Sequence, residues 1–207
     1  MKEIEKHFPD LTQEQKNQFL RLGESFTEWN AQINLVSRKD IDEFYIRHVL
    51  HSLAIAKAMK FADGSEILDV GTGGGLPGLP LAILFPNAHF TLCDSTGKKI
   101  KVVKVLAEEL GLKNVTAHHM RASEVPGKFD FVVSRAVTRM NKFLPWVENK
   151  ISPRCLNPWP NGILYLKGGD LTEELREIKR STEVLPISDW FSEEFFETKA
   201  VVYVRLQ

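Results

Sequence analysis

The chain has 207 residues, 43% of them hydrophobic, which is enough to bury the core of one domain. Its 27 basic and 27 acidic side chains leave no net charge, so the composition argues against a protein that holds free nucleic acid through overall basicity. The charged N-terminus does not resemble a secretory signal and no apolar run approaches the ~20 residues of a membrane span, so we expect a cytoplasmic protein without a membrane partner.

Two helices are predicted before the first strand. Residues 12–33 place apolar side chains at helical spacing, and Thr12 and Gln15 at their start fit a capping box. Residues 40–61 repeat the helical spacing and end at a turn-forming DGS. We interpret residues 1–63 as an N-terminal helical extension packed on a core of residues 64–207.

From residue 64 onward, short β-rich runs alternate with helical stretches. This alternation predicts an α/β domain whose mostly parallel sheet is covered on both faces. Ligands of such sheets bind at the carboxyl ends of the strands, where the strand order reverses. The predicted strands are residues 66–70, 90–94, 115–118, 129–134, 163–167, 183–187 and 200–206.

A glycine-rich turn follows the first strand, in LDVGTGGGLPGLPLA, residues 68–82. Gly71 and Gly73 allow the backbone to approach a ligand closely, and a helix is predicted to open at Leu76 or Pro77. The turn therefore lies at the carboxyl end of the first strand, where a ligand is expected.

Two ligand classes compete for this turn. Residues 73–78 match G-x-G-x-x-G, and Asp94 ends the next strand about 20 residues later, as a dinucleotide site requires. However, a pyrophosphate is held by N–H groups at a helix N-terminus, and Pro77 and Pro80 have no N–H to donate. A sulfonium nucleoside, S-adenosylmethionine, carries no phosphate and loses nothing from these prolines. We favour it over a nicotinamide dinucleotide, and over a turn that only packs a helix on a strand.

Two carboxylates flank the turn. Asp69 is placed to serve the methionine ammonium of S-adenosylmethionine, directly or through water. Asp94 is placed to accept both ribose hydroxyls, because a carboxylate offers paired acceptors. We therefore predict both as cofactor-binding residues.

Six segments together resemble one known family. FTEWNAQINLVS, YIRHVLHSLAIA, LDVGTGGGLPGLPLA, HFTLCDSTGKKIKVVK, VVSRAV and LYLKGG have the order and spacing of the bacterial small-subunit rRNA guanine-N7 methyltransferases, also called glucose-inhibited division protein B. The resemblance runs from about residue 20 to the C-terminus. It implies a class I S-adenosylmethionine-dependent methyltransferase fold, Rossmann-like with a seven-stranded, mostly parallel sheet, and an N-terminal helical extension.

The resemblance also implies a donor and an acceptor. S-adenosylmethionine is the donor, and the acceptor is one guanine in the decoding-region loop of 16S rRNA. Separately from the resemblance, we expect a small ribosomal subunit particle to present this base and the enzyme to be a monomer. A folded particle would also reconcile an RNA substrate with zero net charge. Two positions depart from the family: Ser123 stands where relatives usually have Glu, and His51 where they usually have Asp. The cofactor positions carried over are Gly71, Leu76, Asp94, Ala122, Ser123 and Arg135.

The chemistry of guanine N7 narrows the residues to be sought. N7 has an in-plane lone pair and no proton, so its attack on a sulfonium methyl needs no general base, and positioning should carry most of the rate. Methylation of an adenine amino group usually uses (D/N/S)-P-P-(Y/F/W) after the fourth strand, where this chain has SRAV, residues 134–137. The similar NPWP, residues 157–160, precedes the fifth strand and is interpreted as a loop.

The two cysteines do not suit a catalytic or metal site. Cytosine C5 methylation needs a nucleophilic cysteine near the cofactor, but Cys93 lies inside the second strand and Cys155 lies past the site. Their spacing also predicts no metal site.

Cationic side chains follow several strands and are candidates for contact with RNA or the cofactor. We expect them on phosphates, guanine O6 or the cofactor carboxylate. Arg121 and Lys167 are our candidates for catalysis, Arg135 ranks first as an anchor of cofactor or substrate, and Arg139 is as compatible with a solvated surface. Lys98, Lys99, Lys101 and Lys104 are interpreted as a solvated helix face.

Two other classes of function stay open. One is a methyltransferase of the same fold that acts on another RNA, a small molecule or a protein. The other is a non-catalytic cofactor binder or a nicotinamide oxidoreductase. The N-terminal segments WNAQINL and RHVLHS weigh against a methyltransferase that acts on a small molecule or a protein. The prolines of the glycine-rich turn weigh against the oxidoreductase.

Overall fold

A mostly parallel sheet forms the centre of the molecule in the computed structural model, which describes residues 1–37 and 40–207. The described strands are β1 Glu66–Val70, β2 His89–Asp94, β3 Val115–His119, β4 Phe131–Arg135, β5 Gly162–Gly168, β6 Thr182–Pro186 and β7 Lys199–Arg205. They lie in the order β3-β2-β1-β4-β5-β7-β6, and β7 runs antiparallel to both of its neighbours. All seven predicted strands and the predicted sheet are confirmed.

The central strands are buried on both faces. In β1 the side chains of Ile67 and Leu68 are fully buried, and in β4 so are those of residues 131–133. Helices therefore cover the sheet on each side, which explains why these strands read as continuous apolar runs. The helices are α1 Lys2–His7, α2 Gln13–Gln32, α3 His51–Ala58, α4 Gly78–Leu84, α5 Gly97–Glu109, α6 Met140–Val147 and α7 Thr172–Arg176.

The predicted capping box begins α2. The Thr12 hydroxyl accepts from the N–H of Gln15 at 3.2 Å, and the Gln15 side chain accepts from the N–H of Thr12 at 3.0 Å. The Gln15 amide also donates to the carbonyl of Ile83 at 2.9 Å, which ties α2 to α4. Phe19, Leu22 and Phe26 lie on one face of α2 and are fully buried, which agrees with the helical spacing of apolar residues in this segment.

The second predicted helix, residues 40–61, is helical but not one regular α-helix. A 3₁₀ turn at Ile41–Glu43 and a π-helical segment at Tyr45–Leu50 precede α3. The Ser52 hydroxyl donates to the carbonyl of His48 at 2.7 Å, a side-chain bond that competes with regular helix bonding. Widened π turns of this kind often occur at functional sites.

The extension and the sheet share one hydrophobic core. Side chains of α2, α3, α4 and α5 belong to a single buried cluster. The amide of Gln18 also donates to the carbonyl of Leu110 at the end of α5, at 2.9 Å. The boundary between an extension of residues 1–63 and a core of residues 64–207 stays a prediction.

The sheet topology leaves a crevice beside β1. The chain passes outward from β1 to β2 and β3, and then returns to place β4 on the other side of β1. At such a reversal the flanking connections diverge and open a space at the carboxyl ends of β1 and β4. Among the helices described, none has the length and apolar character that a membrane crossing requires.

Candidate active site

A cavity of about 790 Å³ opens at the carboxyl ends of β1 to β4. Its volume lies in the range of small-molecule sites. Eight of the predicted site residues line it, whereas Asp69 and Lys167 do not. The eight are Gly71, Gly73, Leu76, Asp94, Arg121, Ala122, Ser123 and Arg135.

The glycine-rich turn forms the floor of the cavity. Gly71 has φ +69° and its N–H donates to the carbonyl of Cys93 at 2.9 Å. A Cβ at Gly71 would lie 2.4 Å from Cγ2 of Val137, so the backbone of the turn and the loop after β4 can approach only at a glycine.

The N-terminus of α4 is occupied by the protein's own carboxylate. Oδ2 of Asp69 accepts from the N–H of Gly78 at 2.8 Å and from the hydroxyl of Thr72 at 2.6 Å. Asp69 is fully buried, and burial raises its pKa to about 7. Its Oδ1 has no hydrogen-bond partner in the described part of the chain. The predicted contact of Asp69 with a methionine ammonium stays a prediction.

The remaining donors in this first turn are also used or missing. The N–H of Leu79 donates to the carbonyl of Gly75 at 2.7 Å, and that of Leu81 donates to Pro77 at 3.2 Å. Pro77 and Pro80 have no N–H. Helix α4 begins at Gly78, one or two residues after the predicted start at Leu76 or Pro77, and its described N-terminus offers no free donor to a pyrophosphate.

Asp94 presents its carboxylate to the cavity from the end of β2. Oδ2 accepts from the N–H of Gly73 at 3.0 Å, and Oδ1 accepts from the N–H of Thr96 at 2.8 Å. Each carboxylate oxygen can accept at least one further hydrogen bond. The side chain is thus oriented by the backbone, with acceptor capacity left for a ligand.

The end of β3 contributes backbone donors and apolar surface. Ala122 and Ser123 begin a 3₁₀ turn, and N–H groups in a first turn have no partner within the helix. Met120 and Trp146 line the same side of the cavity and are 37% and 42% exposed, unusual for side chains of this type. Apolar surface beside free backbone donors is suited to an aromatic base.

Arg135 connects the cavity to the N-terminal extension. Its Nη1 donates to Nδ1 of His48 at 3.0 Å and lies 3.4 Å from the carbonyl of Arg47. Because a guanidinium can only donate, Nδ1 of His48 is the acceptor and the ring proton is on Nε2. Burial, reinforced by Arg135 and Arg47, lowers the pKa of His48 to about 3, so the ring is neutral.

The guanidinium of Arg135 stays charged, and the carboxyl groups of Asp69 and Asp40 act on it electrostatically from beyond ion-pair distance. Burial lowers its pKa to about 10, still well above neutral pH. No carboxylate lies within ion-pair distance of it among residues 1–37 and 40–207. The cavity therefore contains a cation with no direct ion-pair partner among the described residues, which favours an anionic group on its ligand.

The N-terminal extension supplies a lip over the cavity that the sequence did not reveal. Leu35 and Val36 line it, and their N–H groups both donate to Oδ1 of the buried Asn30 at 2.9 Å. An asparagine in the last turn of a helix, before an irregular segment, is the signal that could have identified this arrangement.

The two candidates for catalysis lie in different environments. Arg121 is exposed on the rim and forms no ion pair with the residues described. Lys167 is 11% exposed, donates to the carbonyl of Thr138 at 2.6 Å and lies 2.7 Å from Oε1 of Glu174. The catalytic assignments of both stay predictions.

The lysines of α5, the buried cysteine and the NPWP segment that the sequence analysis considered can also be located in the structure. Lys98, Lys101 and Lys104 are exposed along α5, whereas Lys99 faces the cavity. Burial raises the pKa of Cys93 to about 12, which makes it a poor nucleophile. Asn157 of NPWP accepts from the N–H of Ala62 at 2.9 Å within a loop, as interpreted from the sequence.

Comparison with known proteins identifies close relatives. A family model described as GidB, rRNA small subunit methyltransferase G, matches residues 15–201. A Ribosomal RNA small subunit methyltransferase G of Flavobacterium psychrophilum is 58% identical over 100% of this chain and 99% of its own length. One of Bacteroides thetaiotaomicron is 51% identical over 100% of both chains.

Solved structures share the fold at low sequence identity. A precorrin-6y C5,15-methyltransferase from Geobacter metallireducens has a TM-score of 0.56 at 13% identity, covering 84% of this chain and 91% of its own. A SAM-dependent methyltransferase from Aquifex aeolicus has a TM-score of 0.54 at 16% identity, covering 74% and 88%. The sheet is thus that of the class I methyltransferases.

Proposed function

The chain belongs to the GidB family of rRNA small subunit methyltransferases, and from this membership we propose that it methylates N7 of one guanine in the decoding-region loop of 16S rRNA, with S-adenosylmethionine as the donor. As an enzyme of ribosomal RNA it acts in the cytoplasm. The observation that carries the choice of cofactor is the N-terminus of α4, where Asp69 and two prolines leave no donor for a pyrophosphate.

The groups that line the cavity fit S-adenosylmethionine from end to end. The guanidinium of Arg135, which has no direct ion-pair partner among the described residues, suits a carboxylate, and the spare lone pairs of Asp94 suit two ribose hydroxyls. The backbone donors of Ala122 and Ser123 suit the acceptor edge of adenine, which explains why a serine is tolerated at position 123. We therefore assign these four residues to the cofactor, and Arg135 to its carboxylate.

The glycine-rich turn at the floor of the cavity orients the bound S-adenosylmethionine, which has no phosphate group for the turn to hold. Gly71, Gly73 and Leu76 shape the turn, while Asp69 acts from below by holding Thr72 and Gly78 in place. When bound, S-adenosylmethionine supplies a methyl group activated by its sulfonium. The orphaned Oδ1 of Asp69 is the acceptor on which the predicted ammonium contact depends.

The acceptor base is assigned to the β4 side of the cavity. Apart from Arg135, which ends β4, the residues assigned to the cofactor follow β1, β2 and β3, so the wall formed by the loop after Arg135 is left for the guanine. N7 carries no proton to remove, so the site needs no general base, and Arg121 on the rim is free to contact RNA phosphate or guanine O6. Holding the reactants in line is then the main contribution of the protein.

The experiment that tests this function is to locate the methyl group. Small ribosomal subunits from a strain that lacks its own enzyme of this family are incubated with the protein and labelled S-adenosylmethionine, and the modified nucleotide is mapped by cleavage at N7-methylguanine. We expect one labelled guanine in the decoding region. Label on another atom, on protein, or on no RNA would refute the proposal.

Two control arms test the acceptor and the cofactor. Because the chain has no net charge, we expect naked 16S rRNA to be methylated more slowly than the particle. Equal rates would contradict the particle as the natural acceptor. Calorimetry should detect binding of S-adenosylhomocysteine and none of NAD, and the reverse would show that the cavity was assigned to the wrong cofactor.

A further inference from the structure

The loop after β4 contains a strained residue. Ala136 has φ +53° and is the one non-glycine residue with a positive φ among those the structure describes. Alanine disfavours this left-handed conformation by about 5- to 30-fold in population. Such conformations persist only where the surrounding structure holds them, and they cluster at functional sites. Ala136 and Val137 both line the cavity.

One hydroxyl group holds this loop. The side-chain oxygen of Tyr165, on β5, accepts from the N–H of Val137 at 3.0 Å and from that of Thr138 at 2.9 Å. It donates in turn to the carbonyl of Thr138 at 3.0 Å. A phenolic oxygen can donate one hydrogen bond and accept two, so its whole capacity is spent on the residues directly after Ala136.

A second set of contacts fixes the far end of the loop. The ammonium of Lys167 donates to the carbonyl of Thr138 and pairs with Glu174. The same carboxylate oxygen of Glu174 accepts from the N–H of Met140 at 2.6 Å, where α6 begins. Lys167, which does not line the cavity, thus meets the loop from the same side as Tyr165.

We propose that Tyr165 is a positioning residue for the methyl transfer: by binding the backbone of Val137 and Thr138, its hydroxyl keeps Ala136 in the left-handed conformation and so fixes the loop that forms the acceptor wall of the cavity. This rests on the proposed function, because it assigns that wall to the guanine. Tyr165 is fully buried and does not line the cavity, and Lys167 supports the same loop through Thr138. The strain at Ala136 is the conformational cost that the hydroxyl offsets.

The test compares two tyrosines. Tyr165→Phe keeps the buried ring, which packs on Phe143, and removes only the hydroxyl. The matched control is Tyr203→Phe, since Tyr203 is 8% exposed on the neighbouring β7 and its hydroxyl donates to the carbonyl of Pro160 at 2.6 Å, away from the cavity. We expect Tyr165→Phe to lower kcat on small-subunit particles by about 10- to 100-fold. Tyr203→Phe should stay close to the parent.

A rescue variant makes the mechanism specific. Glycine adopts a positive φ freely, so Ala136→Gly removes the strain that the hydroxyl opposes. In the Tyr165→Phe background it should recover a substantial part of the lost kcat, whereas a purely structural effect of the tyrosine would not respond. A double variant no more active than Tyr165→Phe, or a Tyr165→Phe protein as active as Tyr203→Phe, would overturn the proposal.

Hydrogen exchange separates this proposal from the proposed function. The amides of Val137 and Thr138 should exchange faster in Tyr165→Phe than in the parent. In Tyr203→Phe their exchange rates should equal those of the parent. If the parent methylated no guanine while this difference in exchange was found, the function would fail and the role of the hydroxyl in holding the loop would stand. Equal exchange in all three proteins would refute that role whatever the activity.

Discussion

Replacing Gly78 with alanine tests the packing at the start of α4. A Cβ at this position would lie 2.7 Å from Oδ2 of Asp69 and 2.7 Å from Cγ of Leu92. Both neighbours are fully buried, so neither can move aside into solvent. The substitution must therefore either displace the core or push Asp69 off the N–H of residue 78.

The expected loss of stability follows from these two contacts. Overpacking a well-filled core costs about 1–3 kcal/mol, and loss of a hydrogen bond to a buried carboxyl group costs about 1–3 kcal/mol. The better helix propensity of alanine opposes this by at most about 1 kcal/mol. We expect Gly78→Ala to lower the free energy of unfolding by about 1–5 kcal/mol, the upper end applying if both contacts are lost, which for a chain of this size is a fall in Tm of about 2–20 °C.

Calorimetric melting and titration with S-adenosylhomocysteine measure the two consequences. The control is Gly168→Ala, whose Cβ would lie 2.9 Å from Cδ of Lys199, a flexible side chain that can move at little cost. We expect the control to melt close to the parent and to bind normally. If Gly78→Ala also melted within about 2 °C of the parent, Asp69 would not be packed as described, and the argument against a pyrophosphate would lose its support.

Three further predictions concern the charged groups of the site. Asp94→Asn replaces one acceptor with a donor beside a backbone N–H, so the Kd of S-adenosylhomocysteine should rise by about 10- to 100-fold; titration measures it, and an unchanged Kd would refute the ribose assignment. His48→Leu removes the acceptor that orients Arg135 and should weaken the same binding, whereas His48→Asn retains an acceptor and should bind close to the parent; equal Kd values for the two variants would contradict that role. Burial raises the pKa of Asp69 from 3.8 in the unfolded chain to about 7, so between these two pH values the folded protein binds one proton more than the unfolded chain. The stability of the parent relative to Asp69→Asn should therefore decline as the pH rises from about 4 to about 7. Melting curves of both proteins across that range test this, and a constant difference in stability would contradict it.

The sheet could be read from the sequence because burial on both faces leaves a local record. Strands such as β1 and β4 are continuous apolar runs, and polar turns separate them. The capping box of α2 is equally local, since Thr12 and Gln15 satisfy each other within one turn. The regular helix predicted for residues 40–61 was wrong in detail, because helical spacing alone does not distinguish an α-helix from the π-helical turns found here.

What the sequence determined by itself is the order of the elements, the glycine turn after β1 and the absence of N–H groups at Pro77 and Pro80. Only the tertiary structure decided which side chains complete the site. His48 and Arg135 are 87 residues apart, Tyr165 and Thr138 are 27 apart, and Lys167 is directed to the loop instead of the cavity. Periodicity reports how each segment is buried, whereas a hydrogen bond between distant segments depends on how the elements pack, and a single chain leaves no local trace of that geometry.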